Sequence, residues 1–369
     1  MKLVSGHFIH QNRLMYKHAS HIVDIAKLYC EIPSVVGHEW PFLSHLERLY
    51  KHKGFDVEHQ DGLLAVHGNR PHSHILCAHI DRHGIIKTGH NEYQYAAFVV
   101  EQHKYHLDYY KSAHLLHYIC KNYDSTEVVA YNSSTWEIYA SGNVHHITAC
   151  NVRENLVFEI NWLDENIPVG TPLSYSKAYF CDDEIFSAQI DNVISVASIQ
   201  YLFDHGFQGT ALLSCEEEIW QSWYYILEYI KTHYISWDNL LIIDTSPLDD
   251  DEELAREGKV ILRNKDSLAI FNTIMSSQIE QVAQTHQIPT LFVDQLIDKK
   301  NEAREPRRPK IDLGITELGQ LIKHTQGEYG GTSMQIPTFG WYHSNHESVA
   351  LLAIENHYKL MALWTMGQE

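Results

Sequence analysis

The sequence predicts an α/β fold: a mixed, mostly parallel sheet flanked by helices, interrupted by an inserted all-β module. Three observations predict it. Three compact apolar runs, Ile75–Ala78, Thr210–Cys215 and Leu240–Ile243, have the texture of strands buried on both faces. Segments with apolar residues at helical spacing alternate with them. From about Ile86 to Lys177 that alternation gives way to β-branched and aromatic stretches broken by polar turns.

Taken in order, His21–Tyr29 carries Ile22, Ile25, Ala26 and Tyr29 on one helical face. Trp40–His52 repeats the pattern with Phe42, Leu43, Leu46, Leu49 and Tyr50, and Gly54 ends it. Phe55–Val57, Leu63–Val66 and Ile75–Ala78 are short strands. Glu127–Tyr131, Thr135–Tyr139, Val144–Thr148 and Leu156–Ile160 are the strands expected in the insert, where no helical period stands out. Asn192–His205 is a helix closed by Gly206, and Ser267–Thr285 is another. Asp298–Lys310, charged and Pro-containing, is expected to be an exposed loop. Ser344–Met366 is expected to be a long terminal helix, with Ser344 and Glu347 at capping-box spacing. The domain division is therefore 1–85 plus 179–369 for the α/β part and 86–178 for the β insert.

Composition narrows the function. With 369 residues, 44% hydrophobic and 20% charged, the chain is long enough for a large core and is not disordered. A formal charge of −19, from 28 Lys and Arg against 47 Asp and Glu, argues against a nucleic-acid partner. No apolar run approaches the ~18 residues of a membrane span. Met1–Met15 lacks the apolar centre of a secretory signal. The six cysteines form no CxxC pair, so neither a zinc ribbon nor a dense disulfide frame is expected, and the chain reads as cytoplasmic. Of the 27 histidines, the 25 other than His79 and His343 imply a surface whose charge changes steeply between about pH 7 and pH 5.

The chemistry sits at the ends of the apolar runs. Ile75–Ala78 is followed by His79-Ile80-Asp81, Thr210–Cys215 by Glu216-Glu217-Glu218, and Leu240–Ile243 by Asp244. Groups just past parallel strands stand at the sheet edge where open α/β folds bind ligands. Asp191 heads a helix, where the dipole favours an anion. His343 follows the run Ile336–Trp341. Carboxylates with imidazoles suit zinc, and also cobalt or manganese, and a paired-ion site polarises a carbonyl and acidifies water. In His79-x-Asp81 both side chains fall on one strand face, so Asp81 can orient the imidazole. Successive side chains in the Glu triplet diverge, so one can ligate while its neighbour serves as general base. A glycosidase needs only a carboxylate pair and would leave His79 and His343 without a role.

In these residues the chain resembles metallopeptidase family 42, the tetrahedral and deblocking aminopeptidases. Ala78-His79-Ile80-Asp81-Arg82-His83-Gly84 is similar to the family's AH-x-D-x-x-G segment. Cys30–Glu39 resembles its opening pSG-x-E segment, Asp61–Leu64 its D-x-x-GN strand and Ile167–Thr171 its G-I-x-V-G-D turn. Asp191-Asn192 stands where the bridging DN or DD lies, Glu217-Glu218 where EE lies, and Asp244 follows a strand as the family's VD does. Gly331-Thr332 and Tyr342–Glu347 resemble GTD and Y-x-HSP-x-E. The resemblance spans about Leu28 to Val349 and departs from the family at Val193, Ser195, Trp220 and Ser333.

The resemblance implies a dizinc exopeptidase-like fold with a barrel-like insert that serves oligomerisation or substrate access. It implies two divalent metal ions bridged by Asp191, with His79 and Asp244 completing one site and Glu218 and His343 the other. Glu217 would be the general base and Asp81 the orienting group. The triplet leaves a second register open, with Glu216 as base and Glu217 as ligand. The expected activity is hydrolysis of N-terminal residues from short peptides by a homo-oligomer. The alternatives are a metal-dependent deacylase or amidohydrolase on small N-acyl substrates, or a catalytically inactive metal-binding relative.

Overall fold

The computed structural model describes residues 16–106, 112–162, 166–176, 179–233, 235, 240–248, 251–305 and 307–367. Met1–Met15 and the expected end of the insert, 177–178, lie outside the described residues.

Among the described residues, an eleven-stranded mixed sheet and a closed six-stranded barrel make up the β structure. Strands β1 (Asp56–Gln60), β2 (Leu63–His67) and β3 (Ile75–His79) begin the sheet. The barrel follows, with β4 (Ile85–Gly89), β5 (Glu92–Tyr95), β6 (Glu127–Tyr131), β7 (Ile138–Cys150), β8 (Asn155–Trp162) and β9 (Pro172–Tyr175). The chain then returns to the sheet through β10 (Phe180–Cys181), β11 (Ile185–Ser187), β12 (Thr210–Ser214), β13 (Leu240–Pro247), β14 (Val260–Arg263), β15 (Thr290–Phe292), β16 (Thr332–Gly340) and β17 (Glu347–Ala350). The sheet order is β1-β2-β12-β3-β13-β16-β17-β11-β10, with β14 also paired to β16 and carrying β15. The four central strands β12, β3, β13 and β16 run parallel, and antiparallel pairings flank them.

The apolar runs are buried on both faces, as their texture predicts. Leu76, Ala78, Ala211, Leu213, Leu241 and Ile243 join one core with helices α1 (Lys17–Cys30), α2 (Trp40–His52) and α5 (Val193–Asp204). The alternate residues Ile75, Cys77, Leu212, Leu240 and Ile242 face α6 (Ser222–Thr232). The terminal helix α11 (Leu351–Met366) joins the first core, α10 (Glu317–His324) the second, and the short α7 (Glu252–Arg256) a smaller cluster through Ala255.

Several local expectations are corrected. The expected barrel is present, but its segment also carries two helices, α3 (Ala96–Tyr105) and α4 (Ala113–Tyr123). The second was legible, because Leu116, Ile119, Cys120 and Tyr123 keep helical spacing and Ser112 caps it by accepting from Leu115 N. Residues 135–137 are not strand; β7 begins at Ile138 and continues through Cys150 as one long strand. The helix expected from Ser267 starts at Thr273 as α8 (Thr273–Thr285), where the Asn272 side chain accepts from Met275 N. The expected loop 298–310 begins inside α9 (Val293–Glu302). Ser344 and Glu347 form no capping box, because Glu347 opens β17 and the terminal helix starts only at Leu351.

Barrel and sheet meet directly after β3. Gly84 ends the loop between them, and a Cβ there would lie 2.8 Å from the Leu173 carbonyl oxygen and 2.4 Å from a Val35 methyl, so only glycine fits this approach.

Candidate metal centre

The parallel register builds the site. β13 pairs β3 from Leu240 opposite Ile75 to Ile242 opposite Cys77, and the same register carried two residues further sets Asp244 level with His79. Ser214, at the end of β12, also lies level with His79, and the Glu triplet follows it. Asp191 lies just before α5 and is joined to Asn192 by a cis peptide bond; Asn192 Nδ2 donates to the Ile243 carbonyl at 2.9 Å, tying this turn to β13. His343 arrives after β16 in the left-handed conformation, φ +64°.

The seven expected residues converge unequally. His79 Nε2 lies 3.2 Å from Asp191 Oδ1 and 3.6 Å from Asp244 Oδ1. His343 Nε2 lies 3.3 Å from Asp191 Oδ2 and 3.8 Å from Glu218 Oε2. Asp191 therefore turns one oxygen to each imidazole. Asp81 is fully buried and accepts from two backbone donors, Glu217 N on Oδ1 and Glu218 N on Oδ2, both at 3.0 Å. Its carboxylate also lies 3.5 Å from His79 Nδ1, and its backbone oxygen 3.2 Å. Asp81 thus holds the Glu turn and the first imidazole together.

The Glu triplet divides in the structure. Glu216 sits at φ +63° and is occupied elsewhere: Lys104 Nζ donates to it at 2.5 Å, and the hydroxyls of Tyr105 and Tyr225 also donate to it. Glu217–Ile219 form a short 3-10 turn, closed by Trp220 at φ +58°. Non-glycine residues at positive φ cost of order 1–3 kcal/mol and concentrate where backbone must aim a functional group. Glu216, Trp220 and His343 are three such residues around one cluster.

Electrostatics match a site built for cations. Burial works to lower the His79 pKa, yet the carboxylates of Asp191, Asp244 and Asp81 hold it well above its usual value. Burial works to raise the Asp191 pKa, but the adjacent imidazoles of His343 and His79 hold it well below the carboxylate range. Burial pushes Glu218 up to about 8, with Asp191 and Asp81 adding repulsion that His343 and His79 oppose. Burial raises Glu217 strongly, opposed by His79 and reinforced by Asp244, Glu218 and Glu317. A crowded, buried set of carboxylates and imidazoles is stabilised by positive charge placed among them.

Two groups of donor atoms each lie within 4.8 Å of one another: His79, Asp191 and Asp244, and His83, Glu218 and His343. Asp191 Oδ1 and His83 Nε2 are buried without a hydrogen-bond partner. This donor chemistry fits divalent transition ions. Sequence reasoning missed two residues. His83, four positions after His79, was one histidine among 27. Glu317, buried at the start of α10, accepts from Ser214 Oγ at 2.8 Å and adds repulsion at Glu217; nothing in its sequence neighbourhood marks it.

The fold is shared with solved aminopeptidases. The chain superposes on the aminopeptidase of the archaeon Desulfurococcus kamchatkensis with a TM-score of 0.68 and 13% identity, over 94% of this chain and 95% of that one. It superposes on the TET aminopeptidase of a marine-sediment Thaumarchaeota archaeon with a TM-score of 0.66 and 14% identity, over 94% and 96%. The Pyrococcus horikoshii TET1 peptidase, which can assemble into a tetrahedron or a large octahedral shell, gives 0.65 and 15%, over 93% and 99%. No protein-family model and no curated protein matches the sequence. The fold is thus the one that the sequence resemblance implies.

Proposed function

We propose that this chain is a metal-dependent aminopeptidase that hydrolyses N-terminal residues of short peptides. One observation carries the reading: the Asp191 carboxylate offers one oxygen to each of two donor groups. His79 and Asp244 complete the first group, and Glu218 and His343 belong to the second. Two divalent ions bound there, zinc ahead of cobalt or manganese, would polarise the scissile carbonyl and lower the pKa of a water.

The residues do the rest. Glu217, in the same turn as Glu218, takes the proton from the attacking water and delivers it to the leaving amine. Asp81 fixes the turn that presents both glutamates, and it orients His79 through Nδ1. Lys104, Tyr105 and Tyr225 hold Glu216 aside, which favours Glu217 over Glu216 as the base. The same machinery serves a deacylase on small N-acyl substrates, so only turnover of peptides against N-acyl amino acids separates the two activities. The segment 86–178 is proposed to serve assembly or substrate access, in a cytoplasmic homo-oligomer. Support for assembly comes from the Pyrococcus protein of like fold, which forms shells. Among the described residues no helix is long and apolar enough to cross a membrane.

The test is Glu217→Gln in metal-loaded protein, assayed on aminoacyl reporters, short peptides and N-acyl amino acids. A loss of roughly 10²–10⁴ in kcat with metal content unchanged is expected. Wild-type rates in the variant would refute the mechanism. Metal bound with no hydrolysis anywhere on the panel would favour an inactive relative.

A further inference from the structure

We infer that His83 is a protein ligand of the second metal position, making it a site of two imidazoles and a carboxylate. This rests on the dinuclear reading above. His83 lies in the loop between β3 and β4 and is 7% exposed. Its Nε2 is 2.6 Å from Glu218 Oε2, and its ring centroid is 4.1 Å from that of His343, nearly edge-on at 62°. His83, Glu218 and His343 supply three donor atoms within 4.8 Å of one another.

Two features separate a ligand from an ordinary buried histidine. The first is what holds the other nitrogen. Nδ1 lies 2.5 Å from the Tyr95 hydroxyl, and the two rings stack at 5.5 Å. A ligating imidazole has its far nitrogen fixed by such a partner, which sets the tautomer and aims the lone pair. The second is the state of Nε2. Despite its closeness to Glu218, it is not aligned as a hydrogen bond and has no hydrogen-bond partner. A buried, unpaired imidazole nitrogen keeps its full desolvation cost unless something occupies it. A cation shared with Glu218 and His343 does so, and also relieves the close approach of Nε2 to the carboxylate.

The two positions are thereby unequal. The first has one imidazole and two carboxylates. The second has two imidazoles and Glu218 before the bridging Asp191 is counted, so it is the more nitrogen-rich and suits zinc or cobalt better.

The experiment is titration of metal-free protein with Co(II), following visible d–d absorption and, by elemental analysis, metal per chain. Wild type, His83→Leu and Tyr95→Phe are compared, with thermal melts in chelator confirming that each folds. His83→Leu is expected to keep one ion and to lose at least tenfold in affinity for the other, with the nitrogen-dependent part of the spectrum changed. Tyr95→Phe keeps the ligand but frees its orientation, and is expected to weaken the same ion by a smaller factor, up to about tenfold. Two ions bound by His83→Leu with wild-type affinity and spectrum would overturn the assignment while leaving the dinuclear reading intact. Should His83→Leu fail to fold, unchanged binding and spectrum in Tyr95→Phe would overturn it. Wild-type protein that binds no ion would overturn both readings.

Discussion

Acid stability isolates one histidine with unusual clarity. His357 lies in α11 with no exposed surface; its Nε2 is 3.3 Å from the Met334 carbonyl oxygen, and its Nδ1 has no hydrogen-bond partner. Burial lowers its pKa from 6.5 to about 4, opposed only by the bond to Met334. The folded chain keeps His357 neutral at pH values where the unfolded chain protonates it. Its contribution to stability is therefore complete above about pH 6.5 and is lost as pH falls toward 4. With these two values, linkage gives a loss of about 2 kcal/mol between pH 7 and pH 5, and about 3 kcal/mol in full. Glu217 and Glu218, whose folded pKa values are raised, contribute with the opposite sign: their part is present at low pH and lost as pH rises. Comparing wild type with His357→Leu cancels them. The assay is urea unfolding in chelator at pH 7 and pH 5. The substitution has a fixed packing cost at both pH values, but wild type should lose about 2 kcal/mol more than the variant on acidification. Parallel losses in the two proteins would refute the argument.

Two further outcomes concern the site. Asp81→Asn replaces one acceptor oxygen with an amide that faces a backbone N–H, so one of the bonds from Glu217 N and Glu218 N is lost; kcat/KM is expected to fall about 10–100-fold, with faster metal loss in chelator, and an unaffected enzyme would remove Asp81 from the positioning role. Glu216→Gln should keep kcat/KM within about threefold of wild type, under ~1 kcal/mol of transition-state energy, because Lys104, Tyr105 and Tyr225 already engage that carboxylate. A Glu216→Gln loss as deep as that of Glu217→Gln would move the base by one residue.

What the sequence revealed follows from physics that is local in the chain. The runs at Ile75, Thr210 and Leu240 could be read because a strand buried on both faces has almost no polar residues, and their ends announce the site. The helix Ala96–Tyr105 hid because Ala96–Val100 is apolar on consecutive residues, all of them buried, so no amphipathic period exists to read. Ser344 and Glu347 had the right spacing but the wrong partners: Ser344 Oγ donates to the Trp341 carbonyl at 2.6 Å, and Glu347 accepts from His343 N at 3.4 Å. The histidine surplus misled most. His21, His52 and His90 are exposed as expected, but His38, His83 and His357 are not, and burial lowers each of them to about 4. Burial depends on contacts far along the chain, such as Met334 beneath His357, which residue counting does not contain.

Ile219, the residue after Glu218, is fully buried in the barrel's own apolar cluster, alongside Val128, Phe158 and Leu173. Tyr95, at the end of β5, reaches back to His83, and Lys104 and Tyr105 of α3 grip Glu216. The barrel-bearing segment is thus a jig for the site as well as an appendage to it. A chimaera carrying a foreign barrel would need a socket for Ile219 and a hydroxyl at the place of Tyr95, or its glutamate turn would drift. Substitutions inside the barrel and substitutions among the clustered carboxylates and imidazoles are constrained together, although the chain separates many of them by more than a hundred residues.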